Sequence, residues 1–127
     1  MTQKEAVKRW QESAKRNLKL SHDLFEGKHF DWALFAGQLA LEKLLKGLVT
    51  KKIDDAPPFT HDLIKLAKVA GINLTAQQNA DLREITKFHI AARYADIKRD
   101  LYKKATRAYT TKWSAIIEEL YLWLKKQ

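Results

Sequence analysis

Histidine, arginine and paired carboxamide–carboxylate side chains stand where this sequence is otherwise apolar. His89 follows Ile85 by four positions, on the apolar side of a predicted helix. Arg93 follows His89 by four, so imidazole and guanidinium share a face near that helix's C-terminal end. Arg83 precedes His89 by six, about 120° around the helix and roughly 9 Å back along it. Arginine stabilises phosphate charge, while histidine moves protons or orients a 2′-hydroxyl, so this trio suits phosphodiester chemistry. Gln38 and Glu42, four apart, interrupt a second apolar stretch on one face, and Lys46 lies four further on. Each residue also has a plain structural reading. His89 is then a hydrogen-bonded core histidine, Glu42 pairs with Lys46, and Arg93 satisfies the helix dipole. Trp10, Trp32, Trp113 and Trp123 fall at helical spacing and read as core rather than as base-stacking platforms.

The elements that must position these residues are helical almost throughout. Val7, Trp10, Ala14, Leu18 and Leu24 mark a helix over Lys4–Phe25, closed by Gly27. Asp31 is placed to cap the next helix, Trp32 to about Lys51, which is apolar on nearly every side. Such a helix belongs at the centre of a bundle or against another subunit, and Ala36, Gly37, Ala40 and Gly47 permit close approach. Pro57-Pro58 breaks the chain, Thr60 is placed to cap a short helix from His61 to Ala70, and Gly71 closes it. Thr75 starts a helix to about Ala92 or Tyr94, with Leu82, Ile85, Phe88 or His89, and Ala92 along one side. Residues 95–108 read either as a basic loop or as a short helix, and Thr110 or Thr111 precedes the last helix. The pattern predicts an all-α protein of five helices, four of them long.

Composition removes whole classes of chemistry. The chain has 127 residues, a size that fits one domain, and no cysteine, so disulfides, thiolate zinc sites and thiol nucleophiles are out. The four glycines are scattered singly, which excludes a phosphate-cradling loop. Glu26-x-x-His29 has the spacing of a di-iron pair but occurs once and straddles Gly27, so no metal site is expected from it. Pro57-Pro58 stands where a helix-turn-helix needs its tight turn. The N-terminal ten residues are too polar for a signal peptide, and no apolar run is long enough to span a bilayer. A soluble, cytoplasmic protein without membrane contact is expected. The 24 Lys+Arg against 15 Asp+Glu give a formal net charge of +9, which suits nucleic acid, an anionic nucleotide or an acidic partner, or else a lysine-rich solvated surface.

The stretch from Asp31 to Leu48 resembles the second-helix signature of the HEPN (higher eukaryotes and prokaryotes nucleotide-binding) family, carried by Phe35, Gln38, Ala40, Glu42, Lys43 and Lys46. His61-Asp62-Leu63 resembles the family's His-x-Leu opening of a short helix, and Phe88 to Asp96 its aromatic-Ile-x-x-Arg-Tyr-Pro-Asp segment, with Ala95 in place of the proline. Tyr109-Thr110 resembles the opening of its closing helix. The resemblance implies an up-and-down bundle of four long helices and one short helix, a homodimer, and no cofactor. It also implies a role in binding nucleotide or RNA, or a small nucleotidyltransferase antitoxin, within a toxin–antitoxin-like pair. Gln38, Glu42, Lys46, His61 and Arg93 are then nucleotide- or phosphate-binding contacts or structural ones. The alternative it implies is a metal-independent endoribonuclease toxin. Arg83 and His89, five residues between them, match the family's catalytic Arg/His spacing, although His89 stands where an aromatic is common.

Overall fold

The computed structural model describes residues 1–91 and 94–127, and every described element is helical. Six helices follow in order, α1 (Gln3–Glu26), α2 (Phe30–Ile53), α3 (Leu63–Val69), α4 (Ala76–Ile90), α5 (Ala95–Lys104) and α6 (Arg107–Lys125). The architecture is the expected up-and-down helical bundle, with a second short helix, α5, in the stretch that sequence left open between loop and helix. Among the described residues no helix is long and apolar enough to cross a membrane.

Helix α2 is the axis of the bundle. It packs against α1 along its length and against α3, α4, α5 and α6 on its other sides. Its apolar residues point in nearly every direction because neighbouring helices cover most of it, from Ala33 and Leu34 to Leu45 and Val49, while Trp32 and Ile53 near its ends stay exposed. Gly37 lets α6 come close, since a Cβ there would stand 2.8 Å from Ile117 Cδ1. Helix α1 lays a half-buried stripe of Val7, Trp10 and Leu18 toward α2, with Ala14 fully buried and Ser21 Oγ donating to Ala33 O at 2.7 Å.

Several helix boundaries shift from the sequence expectation, each for a local reason. Gly27 is the C-cap of α1, but the left-handed position falls on Lys28 (φ 63°). His29, without a side-chain capping bond, is the N-cap of α2, and Asp31 sits in the first turn, where its charge still suits the helix dipole. Asp62 rather than Thr60 caps α3, its carboxylate accepting from the amides of Ile64 and Lys65. His61 therefore lies in the loop before α3. Helix α4 opens with a full capping box between Thr75 and Gln78 and has Ala91 as its C-cap; Tyr94 is extended and is the N-cap of α5. Ala92 lies outside the described residues. Thr106, not Thr110 or Thr111, caps α6 by accepting from the Tyr109 amide, and Thr110 is buried inside that helix.

Helix α5 buries no residue completely. It is held by Leu101 against the core, by Lys98 Nζ 4.7 Å from the Trp32 ring centre, and by Lys104 Nζ 3.0 Å from Glu84. Asp96 in its first turn and Lys103 and Lys104 in its last complement the dipole. Of the four tryptophans, Trp113 is buried as expected, while Trp32 is exposed and Trp10 and Trp123 are half-buried.

Candidate functional site

Three elements meet beside the middle of α2. Glu42 is central in α2 and only 2% exposed, His61 comes from the loop before α3, and His89 occupies the last turn of α4 at 7% exposure. His61 Nδ1 stands 2.9 Å from Glu42 Oε1. Gln38, one turn before Glu42, donates through Nε2 both to Glu42 Oε1 (3.2 Å) and to the backbone carbonyl of His61 (3.1 Å). Lys46, one turn after it, places its ammonium 3.0 Å from Glu42 Oε2. The helical four-residue spacing thus puts a donor above and below one buried carboxylate.

The electrostatics follow from that crowd. Burial raises the carboxyl pKa of Glu42, and the hydrogen bonds from Lys46, His61 and Gln38 outweigh it, so the group is held below its ordinary 4.5. The imidazoles of His61 and His89 stack face to face, ring centres 3.6 Å apart and planes 17° from parallel. His89 also meets Phe35, 5.3 Å between ring centres. Phe35 continues into a narrow cleft lined by Trp32, Phe88, Ala91, Lys98 and Leu101. Glu42, His61 and His89 each offer one ligand atom that lies within 4.8 Å of those of the other two.

The structure therefore gathers five of the residues singled out from sequence, Gln38, Glu42, Lys46, His61 and His89. Arg83 stands apart, exposed on α4, whose buried face carries Leu82, Ile85, Phe88 and His89. Arg93 lies outside the described residues. Glu26 and His29 flank the α1–α2 turn, both exposed.

A second polar knot was not legible in the sequence. Glu84 of α4 receives Lys87 (3.3 Å), Lys104 (3.0 Å) and the Tyr109 hydroxyl (3.2 Å). Burial raises its pKa, but the bonds from Lys104 and Lys87 prevail and lower it. Burial, then the Glu84 charge, pushes the Tyr109 hydroxyl pKa well above its ordinary value. Lys87 stands three residues along the same helix, whereas Lys104 and Tyr109 arrive from 20 and 25 residues away.

With this geometry in place, known proteins set the chain in context. A crystal structure described as TT1696 from Thermus thermophilus superposes with a TM-score of 0.79 at 20% identity, over 94% of this chain and 96% of that one, which establishes a shared fold. No curated protein matches the chain by sequence. The HEPN domain family model matches residues 7–127, nearly the whole length, and reaches into all six helices. The chain belongs to the HEPN domain family.

Proposed function

We propose that residues 1–127 form a single HEPN-like domain that acts in the cytoplasm as a binding module rather than as a nuclease. It takes nucleotide or RNA on its cationic surface, or docks as a homodimer onto a nucleotidyltransferase partner, in a toxin–antitoxin-like pair. The observation that carries this reading is the place of His89. Its ring is buried, stacked on His61 and close to Phe35, while Arg83 faces solvent elsewhere on α4. For the Arg83–His89 pair to cleave RNA without a metal, cation and base must reach the same phosphate, with a reacting atom about 3 Å from both. The net charge of +9 supplies the attraction for a polyanion.

One pair of measurements tests it. Wild type, Arg83→Ala and His89→Ala are mixed with labelled single-stranded RNA, and both retention and digestion are followed, with chelator present. Expected are binding by wild type, no cleavage by any of the three, and a lowered melting temperature for His89→Ala. Cleavage by wild type that is lost by about 10²-fold or more in either variant, with folding intact, establishes the endoribonuclease alternative instead.

A further inference from the structure

Glu42, His61 and His89 form a donor set that the binding reading above does not use as such. We propose that the junction of α2, the α3-leading loop and α4 is a binding site for a divalent transition-metal ion of the zinc type. Glu42 Oε1, His61 Nδ1 and a ring nitrogen of His89 are its ligands. Two imidazoles and one carboxylate are the mixed nitrogen–oxygen set that Zn2+ and Co2+ accept in tetrahedral sites, whereas Ca2+ and Mg2+ require mostly oxygen.

The surroundings fit. One ligand atom of each residue lies within 4.8 Å of the other two, and an ion with bonds near 2.0–2.2 Å needs them about 3.5 Å apart, which a reorientation of the rings must supply. Face-to-face rings direct their lone pairs along nearly parallel lines, so binding requires the His61 ring to tilt away from the stack. The position of His61 allows this, because it is outside any helix and its side chain is 36% exposed, which also gives an ion its way in. The ion takes the place of the proton between His61 Nδ1 and Glu42 Oε1. The N–H bond breaks, the metal–nitrogen bond forms, and the proton leaves to solvent. Lys46 stays on Oε2 and Gln38 Nε2 orients the carboxylate, the supporting contacts a metal carboxylate needs. Gln38 Oε1 is buried and has no hydrogen-bond partner among the described residues.

The experiment uses the untagged full chain, freed of metal by chelation, and titrates it with Co2+ and then Zn2+ alone. Expected are one Co2+ per chain with the intense visible absorption of tetrahedral cobalt, its displacement by Zn2+, and a Zn2+-dependent rise in melting temperature. His61→Ala and His89→Phe should each weaken binding by at least about 10-fold. His22→Ala should not, although His22 and Glu118 form an exposed pair at 3.3 Å. If His89→Phe does not fold, His61→Ala, at a half-exposed loop position, decides alone. Absence of the tetrahedral spectrum, or binding that survives His61→Ala, overturns the proposal whatever the outcome with RNA.

Discussion

At the scale of single residues, Glu42 governs the site because it is a buried charge with donors on both oxygens. Removing one donor from a buried carboxylate leaves desolvation uncompensated, so Lys46→Ala should destabilise the chain by about 1–3 kcal/mol in urea unfolding. The same carboxylate makes stability depend on pH with a definite sign. Its folded pKa is lowered, so folding holds it more ionised than the unfolded chain does at the same pH. The stabilisation is complete above the ordinary value of 4.5 and is lost as pH falls through the lower folded value. Melting curves between about pH 7 and 3 should show this loss in wild type. In Glu42→Gln that component should be missing, and the curve correspondingly flatter.

At the scale of elements, caps decide where helices begin. Thr106→Ala removes the side-chain cap of α6 and should cost about 1 kcal/mol. Thr111→Ala, on the exposed surface of the same helix, should stay within about 0.5 kcal/mol. Chemical denaturation of the two variants in parallel checks this. The α2–α6 contact makes a second prediction. A methyl at Gly37 would press on Ile117 Cδ1, and overpacking costs about 1–3 kcal/mol, partly offset by the better helix propensity of alanine. Trimming Ile117 to valine removes Cδ1. Gly37→Ala with Ile117→Val should therefore cost less than the two single changes added together, read from a double-mutant cycle.

For the whole molecule, charge and assembly are the measurable consequences. If the excess of nine positive charges serves a polyanion, RNA affinity should fall steeply with salt, log K dropping by about 0.7 per phosphate contact for each decade of salt. A salt-independent affinity would point to the lysines as mere solvated surface. Sedimentation at tens of micromolar should give a dimer, and a monomer at that concentration would remove the homodimer from the proposed function.

Much of this protein was legible before any coordinates. The all-round apolar character of the α2 segment dictated a central helix, because no other position buries every side. Four-residue spacing alone placed Gln38, Glu42 and Lys46 on one line, and the structure keeps them there. Caps were less legible: the sequence pointed to Thr60 before α3 and Thr110 or Thr111 before α6, whereas Asp62 and Thr106 cap them, because only the backbone path selects among neighbouring oxygens. The meeting of His61 with His89 could not be read at all. Their rings stack only because α3's leading loop and the end of α4 both pack against α2. Glu84's partners on α5 and α6 are of the same kind. Periodicity determines which face of a helix a residue occupies, but how helices turn and pack against one another decides what that face meets.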